Sequence, residues 1–177
     1  MLRKIFRYLS IASLVVGLIM VWLVLRKQAL PPVETSSDAA RSFNEKLNQL
    51  TQAKEQGTPA EIHLTAAEIN SEIQEGLRAH PPPAGPAVLK DAVIQLEGDK
   101  MVAFLTATVK GVELRVTVGG NLQFENHAVR LVPSDVHVGT MPVPVSWLEG
   151  KLDMHLEVPE AITALRVENS ELVVRAD

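Results

Sequence analysis

Cysteine is absent from all 177 residues. That excludes a disulfide framework, a thiolate nucleophile, an iron–sulfur cluster and any zinc site built on cysteine. Aromatic side chains make up only 4% of the chain, so none of the many carboxylate pairs stands out beside a sugar-stacking platform. No G-x-S-x-G elbow occurs, and neither H-x-x-x-H nor H-E-x-x-H is present. Gly119-Gly120-Asn121 lacks the spacing and the following helix of a phosphate-binding loop. Ser134-Asp135 and Ser146 read as ordinary loop and helix-start residues. A pI near 5.7 argues against a basic nucleic-acid-binding surface. There is no fixed-period repeat. Together these absences point to binding rather than catalysis, with no cofactor and no metal, and leave a hydrolase as the minor alternative.

The chain is rich in aliphatic residues. It is 46% hydrophobic, with a mean hydropathy of +0.11. Much of that comes from Tyr8 to Leu25, 18 consecutive positions without a charge. As a helix this run spans about 27 Å, close to the hydrocarbon thickness of a bilayer. Arg3, Lys4 and Arg7 precede it, and Arg26 and Lys27 follow it. Tyr8 and Trp22 stand near its ends, where amphipathic rings favour the interface. A cleaved signal peptide is the rival reading, but Arg26, Lys27 and Gln28 replace the small-residue exit it needs. The expectation is an uncleaved transmembrane signal-anchor over residues 8–25 within a unit spanning 1–27. The larger basic cluster before the helix places the N-terminus in the cytoplasm and the rest outside the cell membrane. All 21 Asp and Glu lie beyond residue 27, against 12 Lys and Arg, so the outer part carries −9. An acidic outer domain does not adhere broadly to anionic head groups.

Periodicity organises the remainder. Residues 28–37, with Pro31 and Pro32, read as an extended linker. Residues 38–57 read as a spacer helix capped by Ser37 or Asp38. Ala40, Phe43, Leu47 and Leu50 form its stripe, and Gly57 stops it. A coiled-coil dimerisation segment is the alternative. The outer domain covers 60–177. It opens with the strand Glu61–Leu64, then the capping-box sequence Thr65-Ala66-Ala67-Glu68 starting a helix with Ile69, Ile73 and Leu77 on one face. Pro81, Pro82, Pro83 and Pro86 end that helix in a connector, or alternatively a polyproline ligand. Strands follow in runs. Ala92 to Glu97 alternates. Met101 to Val109 is apolar on both faces and reads as a strand covered on two sides. Val112 to Val118 is a one-face strand, with a bulge or bend expected at Gly119-Gly120. Pro133 marks Val129–Val138 as an edge or a bulge. A short helix from Pro144 to about Leu152 and a hairpin turning at Asn169-Ser170 complete the domain.

Runs of strands rather than single alternation with helices indicate an α+β fold: an N-terminal transmembrane helix followed by a curved antiparallel sheet packed with two or three helices. The five histidines are His63, His80, His127, His137 and His155. Asp135 and His137 share one strand face and could begin a metal site, with His127 or His155 as third ligand; solvent-facing strand residues are the plainer reading. The aliphatic wealth serves either a filled core or a groove for an apolar ligand such as an acyl chain. Ile69, Ile73, Leu77, Leu105, Trp147 and Leu148 are the residues expected to line such a groove.

Some of these segments carry a family likeness. Ile62-His63-Leu64-Thr65 leads into Glu68-Ile69-Asn70. A strand run spans Phe104 to Val118. Val138-Gly139-Thr140-Met141-Pro142-Val143-Pro144 precedes Trp147, and a hairpin ends near Val174. With the single N-terminal anchor, these make the chain from about Ile62 to Val174 resemble the YpmS-like family of bacterial membrane-anchored proteins. The resemblance implies an extracytoplasmic domain with no established enzymatic activity, and kinship with tubular lipid-binding folds, in which a long helix packs into a curved antiparallel sheet. It supplies no catalytic residues. The functional expectation is a single-pass envelope protein that binds or shields a lipid or other apolar ligand. The alternative is a scaffolding module that recruits an envelope protein through a strand edge or the Ala40–Leu50 stripe.

Overall fold

The computed structural model describes residues 17–26, 30–83, 85, 87–125, 128–147, 155–158 and 162–176. Backbone from 17 to 25 is helical. Among the described residues no helix is long and apolar enough to cross a membrane, and the first half of the 8–25 run lies outside them. The fold is α+β and antiparallel throughout, with two sheets rather than one.

The smaller sheet has the order β1-β9-β8, formed by Ala60–Leu64, Glu171–Ala176 and Ile162–Glu168. Strand β1 pairs with β9 from Ala60↔Ala176 to Leu64↔Leu172, so the start of the domain closes on its end. Helix α1, Ser37–Glu55, lies on this sheet. Its cap is Ser36, one residue before the expected position: Ser36 is extended, and its Oγ accepts the Ala39 N–H at 3.0 Å. Gly57 ends the segment with φ +64. The stripe read from sequence is buried here. Leu50 joins Ile62, Leu64, Val174 and Ala176 in one apolar cluster, and Phe43 and Leu47 pack against it. The helix is therefore a layer of the domain, with its apolar side already covered.

Helix α2, Ala66–Ala79, starts at the expected capping box. Its buried residues are Glu68, Asn70 and Ser71, while Ile69, Ile73 and Leu77 are half-buried. The reason lies beside it. Strand β2, Ala87–Glu97, is the edge of the larger sheet, and α2 runs along that edge. Asn70, 1% exposed, donates to the Ile94 carbonyl at 2.7 Å and accepts the Ile94 N–H at 2.6 Å. One side chain thus supplies both bonds that a neighbouring strand would have made, which closes the edge to further pairing.

The larger sheet runs β2-β3-β4-β5-β6, with β3 Lys100–Val109, β4 Val112–Glu125, β5 Ala128–Val138 and β6 Met141–Pro142. A short β7, His155–Glu157, also pairs with β5. The ladder skips Ser134 where Gly119↔Asp135 gives way to Gly120↔Pro133, which places the expected bulge opposite Gly120. A Cβ at Gly120 would overlap the Val132 carbonyl oxygen. Strand β3 differs from its sequence reading. Only Ala103 and Thr106 are buried and the other residues from Met101 to Val109 are half-buried, because both α-helices pack on each other, on the small sheet and on β2. The expected helix after Pro144 is a 3-10 turn at Val145–Trp147, and residues 148–154 lie outside the described set. The two sheets meet where β4 packs against β8 and where two hairpin tips touch: Ser170 N–H donates to the Gly98 carbonyl at 3.0 Å and Gly98 N–H to Ser170 Oγ at 3.1 Å.

Candidate functional site

Strand register sorts the larger sheet into two unlike faces. Residues directly opposite in antiparallel strands point the same way. One face collects Leu89, Ala92, Ile94 and Leu96 from β2, and Met101, Ala103, Leu105, Ala107 and Val109 from β3. Strand β4 adds Val112, Leu114, Val116, Val118, Leu122 and Phe124, and β5 adds Val129, Leu131, Val136 and Val138. Every one of these is apolar. The opposite face is mixed, with Asp91, Thr106, Arg115, Thr117, Asp135 and His137 beside Val88, Val93, Val102, Phe104 and Val132.

Burial of the apolar face is graded along the strands. Ala92, Leu96, Ala103, Val118, Val129, Leu131 and Val136 are buried. Val118, Leu131 and Val136 form a cluster that Val143 and Val145 help to cover. Toward the β3–β4 turn, Leu89, Leu105, Ala107, Val109, Leu114 and Val116 are only half-buried, and Val112 is 46% exposed. About 25 cal/mol is at stake for each Å² of apolar surface left to water, so a run of half-covered aliphatics is a standing invitation to an apolar partner.

The N-terminal helical segment meets the sheet at this same end. Thr140 donates its N–H to the Leu23 carbonyl at 3.1 Å and its hydroxyl to the same oxygen at 3.0 Å. Leu23 belongs to the last turn of the segment, whose carbonyls have no partner within the helix. Gly139 makes the close approach workable: its φ is +61, and a Cβ there would overlap the Val24 carbonyl oxygen. Gly139 N–H also donates to the Arg115 carbonyl at 2.7 Å, which ties the turn to β4. Beyond this latch, Leu18, Ile19, Met20, Val21 and Trp22 are 52–61% exposed. Five consecutive exposed residues cover more than one helical turn, so the segment projects from the domain with no side covered. Arg26 stacks on Trp22 with its guanidinium carbon 5.1 Å from the ring centre.

The residues expected to form a groove are dispersed. Ile69 packs into the apolar cluster of the small sheet. Ile73 and Leu77 follow it along α2 and are half-buried. Leu105 sits on the aliphatic face of the larger sheet, opposite Val116. Trp147 is in the 3-10 turn, and its side chain, like all of Leu148, lies outside the described residues. The seam between α2 and the sheet edge is polar: besides Asn70, Gln74 donates to Asp91 Oδ1 at 2.6 Å. The expected linker is laid along this seam. Leu30, Pro31, Val33 and Thr35 line an open cleft of about 250 Å³ with Asn70, Gln74, Arg78, Asp91 and Val93. Ser36 N–H donates to Ser71 Oγ at 3.1 Å.

Three titratable groupings complete the picture. Glu68 is 6% exposed. Burial raises its pKa, but Lys46 Nζ at 2.7 Å, the Ser42 hydroxyl at 2.5 Å and two bonds from Thr65 outweigh that and hold it at about 2. Lys46 also donates to the His63 carbonyl at 2.7 Å, so this network ties α1, β1 and α2 together. It has the marks of a structural staple, with every partner satisfied. On the polar face of the larger sheet, His137 Nδ1 lies 3.2 Å from Asp135 Oδ2. His127 and the side chain of His155 lie outside the described residues; on the small sheet His63 lies between Glu171 at 3.1 Å and Glu61 at 3.3 Å, and among the described residues no group of three His, Asp or Glu is arranged to hold a metal ion.

Asn70 escaped the sequence reading, although it stands out as a poor helix former inside a helix. The Thr140 latch left no trace beyond a turn glycine, because its partner is 117 residues away. No protein-family model, curated protein or solved structure matches this chain.

Proposed function

We propose that this chain is a single-pass membrane protein, held by residues 8–25, whose extracytoplasmic α+β domain presents the aliphatic face of its larger sheet to the acyl part of a lipid. The observation that carries the reading is the face itself: apolar across four strands, buried through its middle at Ala103, Val118 and Val136, and half-open toward the end where the N-terminal helical segment is latched. The exposed stretch 17–22 and its charge-free continuation in sequence support the anchor. The resemblance of the segments from Ile62 to Val174 to the YpmS-like family favours the same reading. The role is binding or shielding, without a chemical step. A scaffolding role through the Ala40–Leu50 stripe finds less support, since Phe43 and Leu47 already pack on the core.

The test is native mass spectrometry of the full-length protein released gently from membranes, with lipids identified after dissociation. A retained lipid is expected, and its occupancy is expected to fall several-fold in Leu105→Glu and Leu114→Glu. Lipid-free protein, or equal occupancy in both variants and the parent, would remove the reading.

A further inference from the structure

Outside the N-terminal segment, Val112 is the exposed large hydrophobic residue among those described. Its position is not arbitrary. It begins β4, directly after the turn Lys110-Gly111, in which both residues have positive φ, +49 and +83. Two central residues of this hand make the tight connection that suits the twist of paired strands, so the tip is a firm, narrow projection. Val109 pairs with Val112 at its base. The tip therefore reads valine, lysine, glycine, valine: an apolar base with one cation at the point.

The tip lies at the same end of the sheet as the helix latch. Gly139 is bonded to Arg115, and Val112 is three residues beyond Arg115, about 10 Å further along the strand. Exposed Arg78 and Lys90 belong to this end as well. Lys90 falls at the bulge between Leu89 and Asp91, close to where Ala87 pairs with Val109. Glu113, Asp91 and exposed Glu75, one turn before Arg78 on α2, are acids here, and Asp91 accepts the Gln74 hydrogen bond. The opposite end carries exposed Glu97, Asp99, Glu125 and Glu168 together with exposed Lys100 and with Arg166, which is paired to Glu168 at 2.9 Å. Beside the helix exit stand the exposed cations Lys110, Lys90 and Arg78.

We infer that the β3–β4 hairpin tip rests in the headgroup layer of the bilayer that holds the N-terminal helix, with Val109 and Val112 at the acyl boundary and Lys110 paired with anionic headgroups. This deepens the reading of the chain as membrane-anchored and rests on it. A tethered domain meets the same membrane at an effectively high concentration, so one small apolar tip and a few cations suffice where a free protein would need far more. The contact also opens the half-covered end of the aliphatic face directly onto the lipid.

The absence of cysteine makes the test clean. Val112→Cys, Asp99→Cys and Ile19→Cys are made singly in the full-length chain, labelled with an environment-sensitive fluorophore and reconstituted in vesicles of phosphatidylcholine with 30% phosphatidylglycerol. Lipids spin-labelled near the glycerol then serve as quenchers. The label at 112 is expected to emit to the blue of that at 99 and to be quenched at least threefold more. Adding Lys110→Glu is expected to remove about half of that quenching. Equal quenching at 112 and 99 overturns the inference. The label at 19 then tells which reading failed: quenched, only the hairpin contact is lost; unquenched, the anchor falls with it.

Discussion

Glu68 shows how a single residue can be half legible. The Thr65-x-x-Glu68 pattern announces a capping box, and both reciprocal bonds are present. What the pattern does not announce is Lys46, 22 residues earlier on another helix, or Ser42 beside it. Those partners turn a local cap into a staple between layers, and pairing across such a distance leaves no periodic mark. They also hold the carboxyl at about 2, below its ordinary 4.5. A group depressed on folding stabilises the fold above its unfolded value, and that stability drains away as the pH falls from 4.5 toward 2. The full contribution is on the order of 3 kcal/mol. Urea midpoints are therefore expected to drop between pH 5 and pH 2.5 in the parent and to drop distinctly less in Glu68→Gln, which starts lower at neutral pH. An identical acid slope in the two proteins would assign the loss to other carboxylates.

At the scale of elements, turn chemistry was the most readable layer. Gly98-Asp99, Lys110-Gly111 and Asn169-Ser170 each separate paired strands, and all three use left-handed residues where a tight turn needs them. The bulge was foreseen at Gly119-Gly120, and its extra residue is Ser134 on the facing strand, next to Pro133. Gly120→Ala drives a Cβ into the Val132 carbonyl, and backbone cannot step aside as a side chain can. A loss of about 2–3 kcal/mol in denaturant unfolding is expected, whereas Gly76→Ala, inside α2 with open space around it, is expected to gain about 0.5–1 kcal/mol. The coverage of β3 was misjudged because an apolar strand looks alike whether a helix or a ligand is to cover it. The Gly139-Thr140 turn is the element that joins the N-terminal helical segment to the domain. Spin labels at Leu25→Cys and Glu113→Cys are expected to show one narrow distance distribution in the parent. Gly139→Ala should broaden it, since the latch cannot close around a methyl group. A parent distribution as broad as the variant's would mean that the turn holds nothing.

Across the whole molecule, the class of fold was legible and the partition into two sheets was not. Runs of strands mark an antiparallel α+β domain. Nothing local in Ala60–Leu64 says that its neighbour is Glu171–Ala176, over 100 residues on. The consequence is an architecture whose halves share one helix. Helix α2 packs with α1 above the small sheet through the Lys46–Glu68 network, and through Asn70 it seals the β2 edge of the large one. The sheets also touch directly, through β4 against β8 and through two hydrogen bonds between the hairpin tips at Gly98 and Ser170. Cooperativity is expected to run through α2 in addition to that contact. In the parent, amide exchange at Val174 in the small sheet and Val118 in the large one is expected to be limited by the same global opening. Asn70→Leu keeps the volume but strands both Ile94 backbone groups, at about 2–4 kcal/mol. It should lower protection of Val118 at least as much as that of Val174, and the Ile94 amide should lose protection first. If Val118 exchange stays at the parent rate while only α2 amides quicken, the large sheet stands by itself, and α2 is a cover for its edge rather than the bond between the two halves.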